Sequence, residues 1–370
     1  MSIDFEAEGL LDDVEGEERE ARVDLLEQLT EAGVSLDELK KACREDRLAL
    51  LPAEQVLAGD RKHTHRELVE QAGLPRELHA RHWQALGLPL PDPDEPYFSD
   101  EDVKAAKLLK DLREAGLDDE GLLEVARVIG EGMARVADAS ASLVGRSFLR
   151  AGDTERDVGL RYAEAARAMT PMLADELRYV LGLHLREQVK RDVVDRASIA
   201  AGELPGSEEV AVAFADLVDF TKLGEQLPPE ELGGVAGRLS SMAGEVVEPP
   251  VRLVKTIGDA AMLVSPDPGP LVGAALHLVE AADREGADFP PLRSGIALGH
   301  ALERGGDWYG HPVNLASRVT NIARPGAVLV TSDVRKSVDP DSYRWSAAGK
   351  RRIKGVREQV PLWRVRPPEE

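Results

Sequence analysis

Residues 210–214 (VAVAF) form a run of β-branched, small and aromatic side chains that ends two residues short of a carboxylate, Asp216. A short apolar run of this composition reads as a buried strand with Asp216 at its tip. Residues 252–257 read as a second strand, Gly258 as a tight turn with Asp259 just after it, and residues 260–265 as a strand running back. Two aspartates on neighbouring strand ends can approach closely. That suits divalent cations bound on oxygen ligands, with phosphate completing the shell. It also suits paired ions about 3.5–4 Å apart, the arrangement that serves in-line phosphoryl chemistry. Aspartates are equally common as solvated turn formers, so the pair alone leaves both readings open.

At 370 residues and 43% apolar content, the chain can bury a sizeable core and should hold two or three domains. No apolar run approaches the roughly 18 residues of a membrane span. The first residues are acidic (Asp4, Glu6, Glu8, Asp12, Asp13, Glu15), the reverse of a signal peptide. A lone cysteine, Cys43, excludes an intrachain disulfide framework and a thiolate zinc cluster. The expected location is cytoplasmic. A formal charge of −22 argues against broad nucleic-acid binding but leaves room for a nucleotide that arrives with metal.

From about residue 19 to 136 the pattern is helical. Val23, Leu25, Leu26 and Leu29 make one apolar face ending at Gly33. Ser35-Leu-Asp-Glu38 is a capping box that opens a helix through Cys43. Residues 64–71 and 77–86 flank a Gly73-Leu-Pro75 turn, a helix-turn-helix outline. Its second helix carries Arg76, His79, Arg81 and His82, so DNA binding is one reading. A structural pair inside a regulatory domain is the other, and the acid excess favours it. Residues 89–96 are a stiff connector, Ser99-Asp-Glu-Asp102 caps a helix to Gly116, and residues 117–139 form another. Residues 156–169 read as one helix. Thr170-Pro171 reads as the cap and first position of a second, long one that runs to about Ser198 and carries His184, a candidate proton sensor. Residues 200–206 (AAGELPG) mark a domain boundary. Beyond it, helices over 228–246, 270–284 and 314–322 alternate with strands over 292–298, 327–331, 343–345 and 362–365. That alternation predicts one α/β sheet domain behind an all-α half.

Two further clusters complete the pattern. Gly306-Asp-Trp-Tyr-Gly310 precedes Val313-Asn-Leu-Ala-Ser-Arg-Val319, where Asn314 and Arg318 lie four apart on one helix face. With FADLVDFT, LVKTIGDAAM, GDWYGHPVNLASRV and ARPGAVLVTSDV in this order, residues 207–366 resemble the catalytic domain of class III adenylyl cyclases. The N-terminal half resembles, more loosely and through FSDEDVKAAKLLKDLREAGL, the regulatory domain of actinobacterial pH-sensing adenylyl cyclases. The resemblance implies an all-α regulatory, autoinhibitory domain over 1–198, a linker over 199–206, and a catalytic α/β (α+β, ferredoxin- or palm-like) domain over 207–370.

It further implies that Asp216 and Asp259, with Leu217, hold two Mg²⁺ or Mn²⁺ ions. Lys255 and Asp307 would read adenine of ATP, with Phe220 and Thr221 also in the substrate site. Asn314 would orient the ribose and Arg318 would meet charge on the α-phosphoryl oxygens. The metal aspartates of one subunit would face the other four residues of its partner, so a homodimer would have two sites and a monomer none. Regulation by pH, relieved on acidification, and an apolar ligand such as a fatty acid in the helical half are implied as well. Asp219 departs from the family pattern, which has glycine there. Its charge would bind metal, weaken nucleotide affinity, or point to solvent. A guanylyl cyclase, disfavoured by Lys255 and Asp307, and a regulator that has lost activity are the alternatives.

Overall fold

The computed structural model describes residues 3–200, 207–286 and 288–368, without the side chains of 190–200 and 230. The chain divides into two compact units, Met1–Ala197 and Ser198–Glu370. No helix among the described residues is long and apolar enough to cross a membrane.

The first unit is helical: α1 (Gly16–Glu31), α2 (Leu36–Arg44), α3 (Leu51–Ala58), α4 (His65–Ala72), α5 (Arg76–Ala85), α6 (Asp100–Glu114), α7 (Asp119–Phe148) and α8 (Glu155–Ala200). Local chemistry sets the starts. Thr64 with Glu67, and Ser99 with Asp102, close complete capping boxes on α4 and α6. Ser35 accepts only the Glu38 amide, half of the box expected on α2. Leu25, Leu26, Leu29, Leu39 and Leu51 build one core, and Leu68, Leu78, Phe98, Val103 and Leu109 another. Each such side chain, fully buried, contributes roughly 1.5–3 kcal/mol.

The two helices expected to meet at Thr170-Pro171 are instead one helix, α8, with Pro171 inside it. A proline in a helix interior removes one backbone bond and crowds the carbonyl four residues back. Pro171 lies on an exposed face, where water can partner that carbonyl, and the chain continues. Of the linker expected over 199–206, the first two residues belong to α8 and the rest lie outside the described residues.

The second unit runs β1 (Glu208–Leu217), α9 (Phe220–Leu223), α10 (Pro229–Glu245), β2 (Arg252–Ile257), β3 (Ala260–Ser265), α11 (Pro268–Arg284), β4 (Leu292–Arg304), β5 (Asp307–Gly310), α12 (His311–Ile322), β6 (Val328–Thr331), α13 (Ser332–Ser337), β7 (Arg344–Arg352) and β8 (Gln359–Arg366). The sheet order is β2-β3-β1-β4-β6-β8-β7, with β5 folded back on β4. Only β4 and β6 pair in parallel among these neighbours. Alternation along β1 splits its side chains. Ala211, Ala213, Ala215 and Leu217 enter the core with α10 and α11, while Val210 and Val212 face the core under α12.

Gly295 fixes how closely α12 lies on the sheet. A Cβ there would come within 2.2 Å of the Thr320 backbone nitrogen, so no side chain fits. Gly295→Ala is therefore expected to push α12, which carries Asn314 and Arg318, off β4. Overpacking of this kind costs about 1–3 kcal/mol, to be read as a lower melting temperature together with lower turnover.

Candidate active site

β1 and β3 pair with Asp216 opposite Ala260, which brings Asp259, the residue before β3, to the tip of β1. The Leu217 amide donates to the Asp259 carbonyl at 2.9 Å and locks the two strand ends together. Gly258 makes the turn between β2 and β3 at a φ of 58°, in the left-handed region that suits glycine. Burial pushes the Asp259 carboxyl above its ordinary range. The Asp216 charge adds to the rise, while the residue's own amide and Arg293 pull the other way. An Asp259 carboxylate disfavoured by its burial and by the Asp216 charge is a donor that a divalent cation would relieve. No group of three or more His, Cys, Asp or Glu side chains suited to a metal occurs among the described residues. Two aspartates alone would leave most of a divalent ion's oxygen shell to other ligands.

Arg293 is the site residue that sequence reading missed. It lies on β4 directly opposite Asp216 and donates to one carboxylate oxygen, Oδ2, from Nε at 2.9 Å and Nη2 at 2.6 Å. It also donates to the Asn321 carbonyl at the end of α12. Its only sequence signal was a cation just inside an otherwise apolar strand.

Lys255 and Asp307 meet within the one chain. The Lys255 ammonium donates to Asp307 Oδ2, and the Trp308 amide donates to Oδ1 at 2.9 Å. Asp307 opens β5, a four-residue strand in a glycine-flanked segment that shows no alternation, which is why it was not foreseen. Trp308 is buried beneath it.

Asn314 and Arg318 share the expected helix face of α12 but have separate partners. Asn314 Nδ2 donates to the Gly310 carbonyl at 3.3 Å, and Arg318 donates to the Lys354 carbonyl. Among the described residues no hydrogen bond or ion pair joins the aspartate pair, the Lys255–Asp307 pair and the Asn314–Arg318 face to one another. Phe220 and Thr221 form the first turn of α9, behind Asp219. Asp219 adopts a left-handed conformation with φ 60°, the geometry a glycine takes without cost, and its carboxylate pairs with Lys222 at 2.7 Å on an exposed surface. Of the outcomes foreseen for its charge, the structure has the solvent-facing one.

In the helical unit His184 lies exposed on α8. The helix-turn-helix outline is real as α4 and α5, but His79, one of its candidate DNA contacts, points inward. His65 and His79 are each 4% exposed, with His65 Nε2 3.0 Å from His79 Nδ1. Arg81 pairs with Glu120 instead of standing free.

The chain thus joins a helical unit to a unit built on one mixed sheet. A family model described as adenylate cyclase regulatory domain matches residues 3–189. A pH-sensitive adenylate cyclase of Mycobacterium tuberculosis is 41% identical over 371 residues, covering 98% of this chain and 92% of that protein. An adenylate cyclase of Streptomyces griseus is 33% identical, covering 80% of this chain and 73% of the relative. Among solved structures, the adenylyl cyclase CyaB from P. aeruginosa aligns with 44% of this chain and 96% of its own, at 20% identity and a TM-score of 0.39. The chain belongs to the adenylate cyclases that carry this regulatory domain, and it is an adenylate cyclase.

Proposed function

We propose that the protein converts ATP to 3′,5′-cyclic AMP and pyrophosphate at sites shared between two copies of the chain. The observation that carries this reading is the Lys255–Asp307 pair, which offers one donor and one acceptor side by side. Adenine presents N1 as an acceptor and its N6 amine as a donor, so lysine would donate to N1 and aspartate accept from N6. Guanine presents a carbonyl and an N–H at those places and meets the wrong partner twice. Leaving buried polar groups unpaired is the strongest means a site has of rejecting a close analogue.

Asp216, Asp259 and the Leu217 carbonyl would hold Mg²⁺ or Mn²⁺, which when bound supplies Lewis-acid chemistry that acidifies the ribose 3′-hydroxyl and offsets triphosphate charge. Asn314 orients the ribose so that the 3′-oxygen faces the α-phosphorus. As the new bond to the 3′-oxygen forms and the bond to the pyrophosphate oxygen breaks, Arg318 meets the charge on the α-phosphoryl oxygens. Phe220 and Thr221 contribute the first turn behind the metal strand. A dimer with two-fold symmetry would complete each site with the aspartates of one copy and the other four residues of the second. Among the described residues the aspartate pair makes no hydrogen bond or ion pair to Lys255, Asp307, Asn314 or Arg318, an arrangement compatible with a site completed by a second copy.

The helical half would regulate this assembly by pH, with relief of inhibition on acidification, and His184 on α8 stands among its titratable groups. An apolar ligand in this half would have a place to sit, a half-open depression of about 520 Å³ lined by Leu25, Gln28, Leu29, Gln55, Val56 and Leu160, with Arg167 at its wall to meet a carboxylate.

The test is turnover by the full-length protein with ATP or GTP and Mn²⁺ or Mg²⁺, from about pH 5.5 to 8, with products separated by chromatography. Cyclic AMP and pyrophosphate in equal amounts, little cyclic GMP, and higher activity at acid pH are expected. A preference for GTP would overturn the adenine reading, and a flat pH profile would overturn regulation by pH.

A further inference from the structure

We propose that Arg252 and Glu303, which no functional motif includes, form a positioning clamp that sets the adenine-reading pair and so governs selection of ATP over GTP. The inference rests on the adenine reading of Lys255 and Asp307 above.

The pairing of β1 with β4 ends at Glu208 opposite Ala301. Beyond that point Leu302, Glu303 and Arg304 pair with β5 alone, in an arm that turns at Gly305 and Gly306, both left-handed with φ of 60° and 77°. Asp307 is the first residue after that turn. A two-stranded arm with a double-glycine tip has little intrinsic stiffness, because a lone two-stranded hairpin is marginally stable. The precision with which Asp307 is placed must come from what fastens the arm.

Buried Trp308 seats the middle of the arm on the core, and a polar fastening reaches it from β2. The register between β2 and β3 shifts between Leu253 and Lys255, so that Arg252 lies opposite Val264 and Lys255 opposite Met262. Without the bulge, residues three apart in a strand would point to opposite faces. The extra residue puts Arg252 and Lys255 on the same face, the one whose core includes Met262, Val264 and Trp308. Both then reach the arm. Arg252 forks onto Glu303, with Nη2 to Oε1 at 2.6 Å and Nη1 to Oε2 at 3.2 Å, and Lys255 meets Asp307. Glu303 lies opposite Trp308 in the β4–β5 ladder, one pair from the Arg304–Asp307 pair. The guanidinium–carboxylate fork is the more directional of the two contacts, since a bidentate pair fixes orientation and a lysine acts as a point charge. Its side chains are 33% and 29% exposed, so water competes with it only in part. Lys255 and Asp307 would have to aim a further donor and a further lone pair at a base, so their pair is not free to serve only as a fastener. Arg252 and Glu303 have no such second task and can hold the arm throughout.

The experiment measures kcat and KM for ATP and for GTP with the full-length protein. The variants are Glu303→Gln, Arg252→Gln, the charge-swapped double variant Arg252→Glu/Glu303→Arg, and Asp307→Ala as a control on the adenine reading. Each single glutamine variant is expected to raise KM for ATP and lower the ATP:GTP ratio of kcat/KM roughly tenfold, with kcat within about twofold. That lies inside the roughly hundredfold loss that a 1 Å misplacement can cause. The double variant should recover most of the selectivity. Unchanged KM and selectivity in both single variants, while Asp307→Ala loses discrimination, would overturn the clamp and leave the adenine reading standing. A loss confined to kcat and melting temperature would mean a merely structural pair and would likewise overturn it. Discrimination unaffected by Asp307→Ala would remove the adenine reading, and the clamp with it.

Discussion

Asp259→Asn is expected to lower turnover by about 10²–10³-fold or more, the scale on which a single preorganised charge-stabilising group acts. Stability should not fall with it. The Asp259 carboxylate is disfavoured by its own burial and by Asp216. An amide of the same shape loses that penalty and keeps the Leu217 amide bond to the residue's carbonyl, which is backbone. A melting temperature at or above the parent's, with activity nearly abolished, is the expected pair of readouts. Lost activity together with a collapsed melting temperature would instead make Asp259 a structural residue.

The same variant tests the shared site. Arg318→Ala should be as inactive as Asp259→Asn, yet the two defects would lie in different halves of each site. When the two purified variants are mixed and allowed to exchange subunits, half the dimers become mixed. Each mixed dimer has one site with both defects and one with neither, so recovery approaches about a quarter of the parent activity. A mixture that stays as inactive as its parents, although exchange is demonstrated, would mean that each site is built within a single chain. The Arg318 bond to the Lys354 carbonyl would then be the working geometry and not a resting one.

What could be read from the sequence follows from how local each determinant is. The tips of β1 and β3 were legible because an apolar run fixes a strand, and a carboxylate right after it has few places to go. Asp216 and Asp259 are brought together by one hairpin and one neighbouring strand. Asn314 and Arg318 were legible because helical spacing alone puts them on one face. Arg293, Glu303 and the meeting of Lys255 with Asp307 depend on pairings between residues more than fifty positions apart, and on a bulge that carries no composition signal. Pro171 misled for the opposite reason. The local rule that proline starts a helix is sound, but a long exposed helix can absorb the lost bond.

The buried His65–His79 pair belongs to the same non-local class and leads to a pH dependence of its own. His65 begins α4 and His79 lies inside α5, fourteen residues on, where they meet among Phe98 and Trp83. Burial lowers the affinity of both for a proton. His79 is pushed down to about 4, mainly by burial and then by His65 and His82, with Asp102 opposing. His65 is lowered by burial and by Arg76. One neutral imidazole can donate to the other, so the pair is satisfied without charge, whereas two protonated rings would face donor to donor.

A histidine whose folded pKa lies below its unfolded value of about 6.5 holds fewer protons folded than unfolded through that interval. Stability therefore rises with pH between about 4 and 6.5 and is lost on acidification through it. Acidification through this interval therefore costs the folded helical unit stability, with the two rings titrating as a coupled pair. The measurement is amide hydrogen exchange in the full-length protein, corrected for intrinsic rates. Protection across α4 and α5 should fall several-fold between pH 7.5 and 5.5, while the strands of the second unit keep theirs. The double variant His65→Leu/His79→Phe should show the same protection at both values. Equal protection of α4 and α5 at the two pH values in the parent protein would sink the idea. An acid-dependent loss that persists in the double variant would place the responsible group elsewhere in the helical half.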